Sequence, residues 1–209
     1  MITSALAAKF ANWIYQPIPY NAFDQIFYSD KVTVGIKDCE GGIVFSFAGS
    51  EKMTDFVRDL EAMQGACYHS GLGRIVGSFY EKMDDVFTEL QPWIKSGKPL
   101  YICGHSLGAA HAALLSGLIL NAGGAVATLD MFEPPITGAA FLRDLILHNV
   151  GRVRAFKNGI SPVTQLPAAR NLVQFPLIYL HESPATPWQL NPLAWHSMEL
   201  IEKALEEKL

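Results

Sequence analysis

Apolar residues follow two rhythms along this chain. Short runs rich in β-branched and aromatic residues occupy Val32–Lys37, Ile43–Ala48, Leu100–Cys103, Ala125–Phe132, Arg152–Lys157 and Leu172–Leu180. Several are continuous rather than alternating, the pattern of strands covered on both faces. Between them, apolar positions recur at helical spacing over Thr54–Met63, Ile75–Leu90, Leu107–Leu120, Ala139–His148 and Ser197–Lys208. The alternation predicts an α/β fold with a mostly parallel central sheet and helices on both faces. The first two runs flank Asp38-Cys39-Glu40-Gly41-Gly42 and are expected to pair as a hairpin. Pro176 lies inside the last run and cannot donate to a ladder, so that strand should be interrupted or at an edge. Ala5, Ala8, Phe10 and Trp13 recur at roughly helical spacing and predict a first helix packed on the domain.

Composition narrows this picture. The chain has 209 residues, half of them apolar, without an internal repeat, low-complexity tract or linker. A single domain spanning 1–209 is expected, with enough core to fold without staples. Sixteen basic and twenty acidic residues give a net charge of -4, with no basic cluster of the kind nucleic acid requires. Three cysteines do not make a disulfide framework and read as reduced thiols. Lys9 interrupts the apolar start and no basic segment precedes it, so no signal peptide is recognised and a cytoplasmic location is expected. No run approaches the roughly 18 apolar residues of a membrane span.

The chemistry concentrates at Leu100-Tyr101-Ile102-Cys103-Gly104-His105-Ser106-Leu107-Gly108-Ala109-Ala110. A short apolar strand runs into Gly-x-Ser-x-Gly and then into an Ala-rich helical stretch. Such a turn holds the serine oxygen above the sheet in a strained conformation, which makes Ser106 the candidate nucleophile. The helix N-terminus and the Leu107 N–H would face a developing oxyanion.

Beyond this segment, the chain resembles the class 3 lipases, a family that includes fungal triacylglycerol lipases and feruloyl esterases. Phe47-Ala48-Gly49-Ser50 followed by Asp55-Phe56-Val57-x-Asp59-Leu60 is similar to the family's Phe-Arg-Gly-Thr/Ser segment and its helix. His69-x-Gly71-Leu72, Pro135-x-x-Gly138 and Pro162-Val163-x-x-Leu166-Pro167 match further family motifs in order. The resemblance implies an α/β-hydrolase fold and a second oxyanion donor at Ser50, although Ser50 or Thr54 could equally cap the following helix. It also implies a lid over the site at Thr54–Met63, where an ordinary core-packed helix is the other reading. The family's Arg is Ala48 here, so any ion pair made by that residue is lost.

Four histidines follow Ser106. His111 shares the nucleophile's helix on a different face, and His148 precedes a strand, at the wrong end of a parallel sheet. His181 and His196 both follow the last strand; His196, in Trp195-His196-Ser197-Met198, resembles the family's C-terminal histidine and is the preferred base. The acid breaks the pattern, because Ser161 stands where the family carries aspartate. A serine cannot supply the charge that orients a histidine and stabilises its imidazolium. Three readings stay open: a substitute carboxylate at Glu133, with Asp130 as backup; Ser161 as a neutral orienter; or an impaired site.

The residues thus point to a serine esterase or lipase that acts on a small-molecule or lipid ester without metal or organic cofactor. Transient contact with a lipid interface is compatible with this reading. A binding protein that kept the fold and lost activity is the alternative of a different class, and phospholipase, feruloyl-type or polyester-acting esterases are alternatives within the chemistry. No Gly-x-Gly-x-x-Gly opens a helix, and no His-Glu-x-x-His or paired-cysteine spacing suggests zinc.

Overall fold

A computed structural model of the chain describes residues 2–16, 22–50, 65–181 and 194–207. Its centre is a seven-stranded sheet in the order β1-β2-β3-β6-β7-β8-β9, formed by Gln25–Tyr28, Thr33–Cys39, Gly42–Phe47, Leu100–His105, Thr128–Phe132, Arg152–Asn158 and Leu177–His181. β1, β2 and β3 pair antiparallel, and β3, β6, β7, β8 and β9 are parallel neighbours. The β2–β3 hairpin closes at Cys39 opposite Gly42, as the turn residues required. β3, β6 and β7 are buried along their whole lengths. That explains why their sequences are apolar without alternation.

Residues of opposite parity in these strands feed two separate cores. Ile43, Phe45, Phe47, Leu100 and Ile102 face one layer, which contains α2 (Met83–Glu89), α3 (Leu107–Asn121) and α4 (Ala140–Asn149). Val44, Tyr101, Cys103 and Phe132 face the other, which contains α1 (Ser4–Trp13) and α5 (Met198–Glu207). Helices therefore cover both faces. α3 is apolar all round, with Ala109, Ala110, Ala112 and Ala113 fully buried, so it lies deep against the sheet rather than on the surface. α1 begins at a Thr3 cap and buries Ala5, Ala8 and Phe10, as its spacing predicted.

One predicted helix needs correction, one predicted strand is interrupted at its proline as expected, and one strand gave no sequence signal. Ile75–Leu90 is not one helix: a small hairpin of β4 (Ala66–His69) and β5 (Gly73–Val76) runs into its start. A single helical turn at Gly77–Tyr80 and α2 follow, broken apart at Lys82, whose backbone is left-handed. Apolar periodicity cannot register this break, because Ile75, Phe79, Met83, Val86 and Leu90 all remain buried. Leu172–Leu180 is strand only from Leu177, immediately after Pro176, and forms the sheet's edge. β1 is short and half-exposed and carries no continuous apolar signal. The predicted helix Thr54–Met63, with its proposed lid role, lies outside the described residues.

Candidate active site

The parallel ladder sets the site's geometry. His105 of β6, Phe132 of β7 and Phe156 of β8 are in register, so the residues after β6 and β7, Ser106 and Glu133, leave the sheet at one level of its C-terminal edge while β8 runs on to Asn158. Ser106 N donates to Phe132 O at 2.9 Å, and Glu133 N donates to Phe156 O at 2.8 Å. Both residues are then forced to turn sharply: Ser106 has φ 57° and Glu133 φ 52°, in the left-handed region that side chains disfavour. Two strained residues side by side at strand ends are the mark of a constrained site rather than of ordinary turns.

The elbow closes tightly because its glycines lack Cβ atoms. A Cβ on Gly108 would lie 2.3 Å from Phe47 O, and one on Gly104 would lie 2.3 Å from Gly108 O. The start of α3 is thereby pressed against the end of β3, which brings the Gly49–Ser50 backbone beside the nucleophile. Ser50 and Leu107 line the same cavity of about 570 Å³, and Ser50 also lines a second cleft of about 350 Å³ together with His105 and His196. The two candidate oxyanion donors thus face shared space next to Ser106.

His196 lies in a turn at Ala194–His196, just before α5. Its Nδ1 is 3.2 Å from Ser161 Oγ and 3.6 Å from Glu133 Oε2. The first is a hydrogen bond; the second is too long for one, but close enough for direct charge stabilisation. Glu133 Oε1 accepts from Asn158 N, and Asn158 Nδ2 donates to Trp195 O at 3.0 Å. One buried asparagine thus holds the Glu133 carboxyl and the backbone beside His196. The Ser161 hydroxyl also favours the ionised form of Glu133. With Nδ1–H donated to Ser161, His196 keeps the tautomer in which Nε2 carries no hydrogen.

Ser106 Oγ, His196 Nε2 and Glu133 Oε2 are all buried with no hydrogen-bond partner among the described residues. Buried polar atoms without partners are rare and call for a reason. Burial also pushes the Glu133 carboxyl up to about 8, against the pull of the Ser161 hydroxyl, the Asn158 N–H and the charge on Lys157. It pushes the His196 imidazole down to about 3. Opposed shifts in touching groups are how one site prepares an acid–base pair.

The other sequence candidates lie elsewhere. Asp130, the backup acid, lies inside β7 in register with Arg154 and makes a bidentate ion pair with it at 2.6 and 2.8 Å. Glu133 lies one residue beyond the strand's end, where the left-handed turn brings its carboxyl to His196. His181 is exposed, and its Nδ1 meets Asn158 Oδ1 at 2.6 Å. His148 is exposed on α4. His111 is buried against Phe47, its imidazole lowered to about 4 by burial. Sequence reasoning overlooked Tyr15, His105 and Asn158. His105 stands inside the elbow motif and could have been questioned there, whereas nothing local marks Tyr15 or Asn158.

Comparisons with known proteins agree with this fold. The chain is similar in structure to a mono- and diacylglycerol lipase from Aspergillus oryzae, at 20% identity and a TM-score of 0.69, over 89% of this chain and 83% of that one. It is similar to the Lip2 lipase of Yarrowia lipolytica, at 15% identity and 0.67, over 84% and 78%. A triacylglyceride lipase of Rhizomucor miehei matches at 15% identity and 0.65, over 85% and 78%. A search of curated protein sequences found no match to the chain. The family profile described as lipase (class 3) matches residues 44–170, more than half of the sequence. The chain therefore belongs to the class 3 lipase family of ester hydrolases.

Proposed function

We propose that this hydrolase cleaves acylglycerol-type esters through an acyl intermediate on Ser106, with His196 as base and Glu133, bridged by Ser161, as the acid. The observation that carries this reading is the approach of Glu133 and Ser161 to Nδ1 of His196, which leaves Nε2 free of hydrogen and without a partner among the described residues. In the first half-reaction Ser106 Oγ attacks the ester carbonyl while His196 Nε2 takes the serine proton. The tetrahedral oxyanion accepts from the Leu107 and Ser50 N–H groups. Collapse breaks the bond to the alcohol oxygen, which leaves with the proton from His196. Water repeats the sequence on the acyl-serine and releases the acid.

The lipid character of the substrate is supported by the family, and by relatives named as acylglycerol lipases. Ser106 is fully buried and His196 almost so, so an ester reaches them only after whatever covers the site shifts. Contact with a lipid surface is a suitable trigger, and among the described residues no helix is long and apolar enough to cross a membrane. Rates on tributyrin measured across its solubility limit test this. Activity is expected to rise steeply once emulsion forms; a smooth saturation curve through that limit would favour a soluble-ester esterase instead.

The choice of base is tested separately. His196→Ala is expected to lower kcat by roughly 10⁵ or more, as for other triad histidines. His181→Ala removes a neighbour of Asn158 and Trp195 and should cost within about tenfold. Equal and mild losses in the two variants would remove His196 from this role.

A further inference from the structure

A second hydrogen-bonded chain crosses the site and takes no part in the steps above. Gly49 N donates to the Tyr15 hydroxyl at 2.7 Å, and that hydroxyl lies 3.0 Å from Nδ1 of His105. On the other side of the ring, Nε2 of His105 lies 2.9 Å from the backbone oxygen of His196. The directions follow from chemistry. A carbonyl can only accept, so Nε2 must carry hydrogen. Burial and the neighbouring His196 ring hold the imidazole neutral, so Nδ1 carries none and accepts from Tyr15. Tyr15, having accepted from Gly49, has one hydrogen to give, and Nδ1 is its nearest acceptor. Every group in the chain is satisfied in only one arrangement.

We infer that Tyr15 and His105 are positioning residues that lock the oxyanion strand end to the base. The inference rests on the roles proposed above for Ser106, His196 and Ser50. Gly49 immediately precedes Ser50, whose N–H would meet the oxyanion; His105 immediately precedes Ser106; the third anchor is His196 itself. One chain of three hydrogen bonds therefore sets the spacing of all three components. The contacts are close: a Cβ on Gly49 would lie 2.6 Å from the Tyr15 oxygen and 3.0 Å from Ser106 Cβ. The His105 and His196 rings pack with centroids 4.4 Å apart. Tyr15 lines both clefts beside the site. It follows α1 directly, so a helix on the far side of the sheet from the nucleophile's helix acquires a part in catalysis.

Preorganised donors act on the transition state rather than on the bound ester. Tyr15→Phe deletes a single oxygen and keeps the ring. It is expected to lower kcat for p-nitrophenyl butyrate by roughly ten- to a hundredfold, in the range typical of lost positioning, with KM changed less than about twofold. The inhibition constant of an alkylboronic acid should weaken by the same factor as kcat/KM, because the boronate reproduces the tetrahedral oxyanion. His105→Leu breaks the same chain, so the double variant should lose little beyond the larger single loss. All rates are taken per active site titrated with a fluorophosphonate, which removes any loss of folded protein. Wild-type kcat and boronate affinity in Tyr15→Phe, or additive losses in the double variant, would overturn the inference while leaving the proposed catalytic residues standing. Failure of the wild-type chain to take the label at Ser106 would overturn both.

Discussion

Ser106→Ala is expected to lower kcat for p-nitrophenyl butyrate by on the order of 10⁶ and to abolish fluorophosphonate labelling. The size of the effect follows from the elbow. Ser106 Oγ has no hydrogen-bond partner among the described residues and its backbone is held at φ 57°. No other hydroxyl occupies a comparable strained turn among the described residues. Strain of this kind is worth maintaining only if the oxygen it positions does chemistry. Residual turnover above the uncatalysed rate should survive from the oxyanion donors and substrate binding. Near-wild-type hydrolysis by the alanine variant, measured with purified protein, would mean that another residue carries the acyl group.

Glu133→Gln is expected to cut kcat by roughly 10³–10⁴, the scale seen when a triad acid loses its charge, yet to make the protein more stable in alkali. The two effects have one origin. Burial raises the Glu133 carboxyl from 4.5 to about 8, so between these values the folded chain holds a proton that the unfolded chain has released. Stability must then fall as pH rises through that window. Glutamine removes this slope. The Tm of the variant should match the wild type near pH 4.5 and exceed it by several degrees near pH 9, where about 1 kcal/mol corresponds to 2–4 °C in a chain of this size. Catalysis has the opposite sign, because a carboxylate is needed to stabilise the imidazolium of His196. The kcat/KM of the wild type should therefore rise with pH along a limb near 8 that belongs to the Glu133–His196 pair. Lys157 and the Asn158 N–H favour the ionised acid, and their loss should move that limb upward.

Ser161 supplies the reciprocal test. An aspartate introduced there beside intact Glu133 would crowd two carboxylates around one imidazole, and one of them would stay protonated. Ser161→Asp alone should accordingly bring little gain. In the Glu133→Gln background the same change should restore much of the lost activity, since it returns the charge to the position the family uses. Strong activation by Ser161→Asp alone would mean that Glu133 is not the acid and that the site is impaired as it stands.

How much of this was legible beforehand depends on the range of the interactions. The strand-turn-helix at Leu100–Ala110, the β2–β3 hairpin and the break at Pro176 are local matters. They rest on backbone rules that act within a few residues: absent Cβ atoms, an absent N–H, apolar runs of strand length. The sequence by itself determined these, and with them the candidate nucleophile and the fold class. The choice between Glu133 and Asp130 belonged to tertiary structure. Both are acidic and lie within three residues of each other; Asp130 lies inside β7, in register with Arg154, while Glu133 lies past the strand's end, where the turn carries it to His196. Ser161 stands where the family carries aspartate, and only the fold shows its hydroxyl 3.2 Å from His196 Nδ1 with Glu133 Oε2 3.6 Å from the same nitrogen. Tyr15 lies 90 residues from His105 and acquires a function only because α1 packs beside the elbow. Side chains brought together by packing leave no periodic trace along the chain, so their partnership exists only in the folded protein.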